Sequence, residues 1–574
     1  MTLPQNDSSS VLGIEIGSEN TRSFLFDVVE GTYHFIAGGR VSSTQKEPFY
    51  DIGEGILAAI SQLQLVTGRI LLDHEGNLIF PAQPYGEGVD RLFITASGGP
   101  PVKIAAFGLL SEVSLDSANH LAETTYSIVK DSFGINDRRS AQVQMGSLVS
   151  GRPDIIIFAG GTNKGATRSV IRVAQMIALA LSTMPMDKRP EVLYCGNRVV
   201  GKTVLEILEK HAKVTVTENI RPKLELEDLR RGSEDLSQMV LRNWMKRLTG
   251  LNRIAPICSE TPSISSLNYQ RMIRFLGKLY DPAKGVLGID LGSAHTTIST
   301  ANTTRSTLDV FPLGMGLGFE EALSKIKIDD FTKWLTEKAS PNEVKETLWQ
   351  KTLHPGSIPV DERGLGIELA AARAILNHCM TELTKQGNFV ASSFEPIFIG
   401  GSTITRAATP QQILLTVLDG IQPTGIFPLI LDKHGLLPVL GAISVQNQVL
   451  PVHVMETTAF TNLATVLAIE SRASEGTPIV NARLTYKTGN YMDLEIKQGS
   501  IATLPLPSGE IGSLSLSYSR RTFVEGLINS EEPIKVRGGI CGIVLDARGR
   551  PLRIARTENS RREQYKRWMF MLGG

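Results

Sequence analysis

The sequence predicts an α/β protein built from two similar lobes, an inserted doubly wound α/β domain and a β-rich C-terminal domain. Three observations predict it. The stretch "VLGIEIGSEN" at residue 11 returns as "VLGIDLGSAH" at residue 286. Between the two copies, short apolar runs alternate with helix-like stretches of 10–15 residues, the pattern of a parallel sheet. After residue 451 the chain turns to short β-type runs separated by Gly, Asn and Ser, as in "ARLTYKTGNYMDLEIKQGSIATLPL".

The chain has 574 residues, too many for one hydrophobic core, so several domains are expected. Hydrophobic residues make up 42% and charged residues 20%, ordinary for a globular protein. With 59 basic and 58 acidic residues, no global field draws it to nucleic acid or anionic lipid. Cys195, Cys258, Cys379 and Cys541 lie far apart with no metal-ligand spacing, which predicts reduced thiols and a cytoplasmic protein. The apolar stretches are broken by Arg172, or by Pro428, Asp432 and Lys433, so no membrane span is expected. The basic C-terminal "RIARTENSRREQYKR" is read as a solvated helix face.

Residues 1–10, "MTLPQNDSSS", are polar and predicted disordered, with no export signal. The first lobe, 11–95, opens on an apolar run, an acid, a Gly-Ser turn and a second run, which predicts a β-hairpin. Residues 96–285 hold the inserted Rossmann-like domain and linking helices: strands "VKIAAFGLL", "PDIIIFAGG", "EVLYCGN" and "VTVTENI", with helices near 115–130, 166–183 and 201–212. The second lobe, 286–450, repeats the hairpin and adds the strand-to-turn segment "EPIFIGGSTITRA" and the helix "GIELAAARAILNHCMTELTK". The β-rich domain, 451–574, carries no catalytic constellation, and contact with a partner is its expected role.

The hairpins carry the chemistry. A glycine turn lets backbone N–H groups approach an anion, Ser and Thr hydroxyls add donors, and the acid before the turn suits a hydrated Mg²⁺. "GNRVVGKT" (196–203) matches the phosphate-loop pattern, and a phosphate contact by Lys202 stays open beside a fortuitous match. His295 is a water-orienting candidate or a solvent-facing residue; Glu368 and Arg373 flank a core stripe or touch nucleotide.

Two hairpins followed by a Gly-Gly turn resemble the actin-like (ribonuclease H-like) ATPase superfamily. The ordered segments "TASGGPPVKIAAFGLL", "RPDIIIFAGGTNKGATRSVI", "VLYCGNRVVGKTVLEIL", "ENIRPKL", "LDGIQPTGIFPLILDKHGLLPVLGA" and "GGICGIVLDARGRPL" are similar to the glutamate mutase L family, accessory proteins unrelated to the mismatch-repair protein of similar name. The resemblance implies that Glu15, Gly17, Ser18 and Thr21 form a first phosphate hairpin and Asp290, Gly292, Ser293, Thr296 and Thr297 a second. It places Gly400, Gly401 and Ser402 on the adenosine side, makes Glu15 and Asp290 water-mediated Mg²⁺ ligands and catalytic acids, and leaves Gly160, Gly161, Thr162 and Asn163 as further loop candidates. ATP and Mg²⁺ are the implied cofactors, clamped between the lobes. The implied partner is an adenosylcobalamin-dependent mutase or its cobalamin-carrying subunit, with a homo-oligomer open. Glu15 stands where the family carries Asp, Ile298 where many relatives carry Asp, and "GGTNKGA" replaces an Asp-containing loop, so slow or absent ATP hydrolysis is expected. Three function classes follow: an ATP-binding chaperone or reactivating factor, a non-hydrolysing scaffold, and a small-molecule kinase, for which no general-base carboxylate is recognisable.

Overall fold

A computed structural model describes residues 9–281, 283–386, 394–519, 521–527 and 532–573. The expected disordered segment lies outside the described residues as far as residue 8. Ser10 is buried, its N and Oγ donating to Asp90 Oδ2 at 2.8 and 2.9 Å. The chain divides into two compact units, residues 1–269 with 308–310 and 438–447, and residues 270–307, 311–437 and 448–574. Of the expected inserted domain, residues 270–285 fall in the second unit, and of the expected second lobe, residues 308–310 and 438–447 fall in the first.

In the first unit, β1 (Val11–Ile16), β2 (Asn20–Val29) and β3 (Thr32–Ser42) form an antiparallel run, and β4 (Arg91–Ala96) lies parallel to β1. Helix α1 (Ile52–Thr67) is started by the Asp51 side chain, which accepts from Gly53 N, and stopped by Gly68 at φ 71°. The chain then builds β5 (Val102–Phe107), β6 (Ser127–Phe133), β7 (Ile155–Phe158), β8 (Glu191–Tyr194) and β9 (Val214–Val216), all parallel, in the order β6-β5-β7-β8-β9. Every residue of "IIIF" in β7 is buried because helices cover both faces. Ile156 and Phe158 pack with α4 (Arg168–Ser182) and α5 (Gly201–Leu208), following α2 (Asp116–Ala122) and α3 (Ala141–Gly151) in the chain. Ile155 and Ile157 pack on the other side with Ala118 and Leu121 of α2 and with Leu236 and Val240 of α6 (Arg230–Arg247). The expected helix near 115–130 stops early: Thr124 Oγ1 turns back to Leu121 O at 2.7 Å, and the β-branched "SIVKDSF" becomes β6. The short β10 (Ser263–Ile264) returns to pair with β4.

The second unit repeats this plan. Its strands are β11 (Val286–Leu291), β12 (Thr296–Ala301), β14 (Ile397–Gly400) and β15 (Gly425–Leu431), and β13 (Ser306–Phe311), of which residues 308–310 are grouped with the first unit, joins the same sheet. The first sheet has the order β3-β2-β1-β4-β10 and the second β13-β12-β11-β14-β15, with an antiparallel hairpin flanked by a parallel strand in each. The repeat of sequence is therefore a repeat of topology.

The expected boundary at 450 does not cut this sheet. Strand β16 (Thr461–Ser471) pairs antiparallel with β15, and the sheet continues from β16 into C-terminal strands. Of those that follow, β17 (Pro478–Thr485), β18 (Tyr491–Lys497), β20 (Ile511–Tyr518) and β22 (Ile534–Arg537) make a separate small sheet, whereas β19 (Ile501–Leu504), β21 (Thr522–Val524) and β23 (Ile543–Asp546) join the large one. A buried ionic chain fixes this continuity. Asp419 accepts from Arg373 Nε at 2.9 Å and Arg548 Nη1 at 2.7 Å, and Arg548 forks onto Asp546 with two 2.9 Å bonds. The Arg548 guanidinium lies 4.7 Å from the ring centre of Trp568, in the C-terminal helix Glu558–Met571. Arg373 is thus an internal strut, 1% exposed, and not a nucleotide contact. Glu368 is also buried, paired with Lys351 at 2.6 Å; burial pushes its carboxyl up against the pull of that lysine.

Candidate functional site

In each hairpin the turn closes in the same way. Gly17 N donates to Asn20 O and Gly292 N to His295 O, both at 2.9 Å. A Cβ on Gly17 would lie 2.7 Å from Asn20 O, and one on Gly292 2.8 Å from His295 O, so both turns exclude a side chain at that position. The second turn is also braced from outside by "LGMGLG" (313–318). Met315 N donates to Gly292 O at 2.9 Å, and Gly316 N and Gly318 N both reach Ser293 O at 3.0 Å. This brace was not anticipated from the sequence, although its alternating glycines were a visible signal of close backbone approach.

Strand register sorts the candidate residues by face. Glu15 is paired across the hairpin with Arg22, and Ile16 with Thr21; in the second copy Asp290 is paired with Thr297, and Leu291 with Thr296. Cross-strand partners share a face and successive residues alternate. Thr297 therefore lies on the face of Asp290, while Thr21 and Thr296 lie on the opposite face from the acids. Thr296 Oγ1 donates to Leu313 O at 2.7 Å, and a Cβ on Gly55 of α1 would sit 3.2 Å from Thr21 Oγ1. These two threonines support the hairpins from behind.

The two acids differ in company. Glu15 is 2% exposed and forms an ion pair with Arg22, Oε2 to Nη2 2.6 Å. A buried carboxylate neutralised by a guanidinium is a poor anchor for a hydrated divalent cation, because a second positive charge would have to displace or crowd the first. Glu15 thus does not fit the metal role; Arg22, unremarked in the sequence, is the consequence of register.

Asp290 lies in a setting that fits a hydrated cation and phosphate better. It is level with Gly400 on the parallel neighbour β14, where an added Cβ would lie 3.2 Å from Asp290 Oδ1. Gly401 takes φ 113°, and a Cβ there would lie 2.2 Å from Leu291 O, so only glycine permits this approach. Ser402 opens the single helical turn Ser402–Thr405. Asp432, beyond the end of β15, is 2% exposed and accepts the N–H groups of Gly435, Leu436 and Leu437 at 2.8, 2.8 and 3.0 Å. It holds the strand end beside Gly400, 3.8 Å from the same virtual Cβ. His295 is half-buried, and burial pushes its imidazole down to about 4, so it is neutral near pH 7. Among the described residues no group of three or more His, Cys, Asp or Glu is arranged to hold a metal.

The loop candidates of the parallel sheet have other work. Asn163 N donates to Pro222 O at 3.1 Å, and Asn219 Nδ2 reaches both Gly161 O at 3.0 Å and Asn163 Oδ1 at 3.1 Å. Gly160 O accepts from Asn197 N at 2.9 Å, and Thr162 O from Gly165 N at 2.8 Å. These loops tie the carboxyl ends of β7, β8 and β9 to one another.

The phosphate-loop match resolves on the same hydrogen bonds. Asn197 Oδ1 accepts from Val199 N at 3.0 Å, Val200 N reaches Asn197 O at 3.3 Å, and Gly201 N closes on Arg198 O. A phosphate cradle needs free backbone N–H groups across this stretch. Here they close a 3₁₀ turn, and Lys202 lies in the first turn of α5 as an exposed residue.

Among known proteins, residues 11–459 match the family model described as MutL protein. "Protein MutL" of Clostridium tetanomorphum is 26% identical over 247 residues, 41% of this chain and 48% of that protein, so the match spans about half the relative's length. A nucleotide-free diol dehydratase-reactivating factor aligns at 10% identity over 76% of this chain and 99% of that one, with a TM-score of 0.31. Component A of the (R)-2-hydroxyglutaryl-CoA dehydratase of Acidaminococcus fermentans aligns at 10% identity over 76% and 96%, with a TM-score of 0.25.

Proposed function

The chain belongs to the MutL protein family, and we propose that it is an ATP-binding accessory protein of the actin-like type, a chaperone or reactivating factor for an adenosylcobalamin-dependent mutase of the glutamate mutase kind. The observation that supports the nucleotide is the duplicated sheet order, with Asp290 and Gly400 level on adjacent parallel strands of the second copy. Ligands favour the carboxyl ends of such strands. In this reading Gly292, its N–H closed on His295 O, shapes the turn that presents Ser293 to phosphate, Thr297 adds a hydroxyl on the face of Asp290, and Gly400, Gly401 and Ser402 admit the adenosine. Asp290 would hold Mg²⁺ through water, and the ion would supply charge neutralisation of the phosphates. The mutase partner rests on the resemblance to glutamate mutase L and on family membership.

Mg·ATP should raise the melting temperature, because a ligand bound only by the folded state stabilises it by mass action. Affinity for a cobalamin-dependent mutase should change with ATP by about 1–3 kcal/mol, and reciprocity requires the mutase to change ATP affinity by the same factor. Melting curves unmoved by saturating ATP defeat the nucleotide site; pull-downs that recover no mutase defeat the partner.

A second reading is a scaffold that binds ATP without turning it over. The Glu15–Arg22 ion pair favours it, since it occupies a carboxylate that hydrolysis would use. Steady-state phosphate release, alone and with mutase, separates the two.

A further inference from the structure

The nucleotide reading leaves unused a cavity of about 330 Å³ in the parallel-sheet domain, at the carboxyl ends of β5 and β6. That volume is at the lower end of small-molecule sites, and this end of a parallel sheet is where ligands gather. Phe107 and Phe133, the last residues of the two strands, form its buried floor, their rings stacked 4.4 Å apart at 16° and the Arg139 guanidinium 4.9 Å over Phe133. Gly108 and Gly134 follow them, and a Cβ on Gly108 would lie 2.4 Å from Leu115 N, so the chain there packs closely beneath the cavity.

One face of α4 forms a second wall. Ser169, Arg172, Val173 and Met176 follow the i, i+3, i+4, i+7 spacing that puts four side chains in one row. Val173 and Met176 extend the apolar surface, while Ser169 and Arg172 bring a hydroxyl and a cation. Among the described residues the Arg172 guanidinium makes no hydrogen bond or ion pair. Gln144 of α3, 9% exposed, closes the opposite wall and donates its Nε2 to Arg139 O at 3.1 Å. That bond fixes the amide and leaves its oxygen as an acceptor at the cavity.

From this arrangement we infer a second ligand site, independent of the nucleotide, for a small molecule with an apolar body and one carboxylate. Ile135, half exposed, and the Val173–Met176 row take the body by burial. Arg172 takes the carboxylate, for which its planar fork is suited.

The test uses the full chain without ATP, titrated by calorimetry with 2-naphthoate and with the uncharged 2-naphthamide. Naphthoate should bind about tenfold more tightly than naphthamide, equal to about 1.4 kcal/mol. Arg172→Ala should remove that preference while leaving naphthamide affinity unchanged. Ala141→Trp, at an exposed cavity-lining position on α3, should block both probes with an unchanged melting temperature. No naphthoate binding to the unaltered chain at millimolar concentration, or binding that survives Ala141→Trp, overturns the site. Equal affinity for the two probes overturns the carboxylate assignment to Arg172.

Discussion

The two hairpins share their turns, sheet order and flanking parallel strand, yet differ where charge matters. In the first, Glu15 faces Arg22 and is neutralised by it; in the second, Asp290 faces Thr297 and lies beside Gly400. The backbone device is the same in both copies, while the residue opposite the acid differs. A repeated motif is therefore evidence for a repeated fold and not for a repeated chemistry.

The copies also differ in what anchors them, and this gives the largest expected effect. The second sheet runs on into β16 and the C-terminal strands, tied by Arg373, Asp419, Arg548 and Asp546. Removing one partner from a buried ionic chain leaves uncompensated charge, so Asp419→Ala should cost about 3–5 kcal/mol, read as a fall in the urea midpoint. Burial opposes ionisation of Asp546, but Arg548 and Arg550 outweigh it and hold the carboxyl far below its usual range. Its folded value is depressed, so its stabilisation is present above the unfolded value near pH 4 and is lost only in strong acid. A midpoint unmoved by Asp419→Ala would mean that the C-terminal strands are dispensable to the second copy.

Next in size is the asymmetry between the threonines. Thr297→Val should weaken ATP binding by about fivefold, the loss of one hydrogen bond of about 1 kcal/mol, with little change in stability. Thr296→Val should do the reverse: affinity unchanged, stability lowered by about 1–3 kcal/mol as Leu313 O loses its donor. Equal effects of the two variants on affinity would break the assignment of faces.

The smallest expected effect belongs to Lys202→Ala, which should leave ATP affinity within about threefold, or below about 0.7 kcal/mol. A true phosphate-loop lysine would cost far more. A hundredfold loss would move the nucleotide to the parallel sheet.

Much of this fold was legible because its signals are local. The hairpins announce themselves by repetition, and β7 and β8 by unbroken apolar runs. The helix Glu362–Lys385 appears through buried Ile367, Ala371, Ile375 and Leu383 at helical spacing. What stayed hidden depends on long-range placement. Asp419 lies 46 residues from Arg373 and 129 from Arg548, and no periodicity links them. The continuation of β15 into β16 is likewise a matter of pairing. At the candidate site, Gly292, Asp290 and Gly400 were recognisable from motif spacing. Arg22 and Asp432 were not, because their roles follow from register and from backbone N–H groups that a sequence does not display.

The central claim is that the second hairpin, and not the first, carries the metal-dependent part of ATP binding. The most direct measurement is calorimetric titration of ATP with Mg²⁺ and with chelator, on the unaltered chain, Asp290→Asn and Glu15→Gln. The account predicts that Mg²⁺ tightens binding at least tenfold in the unaltered chain and in Glu15→Gln, and that this dependence disappears in Asp290→Asn. Loss of the Mg²⁺ dependence in Glu15→Gln, with its retention in Asp290→Asn, would contradict it.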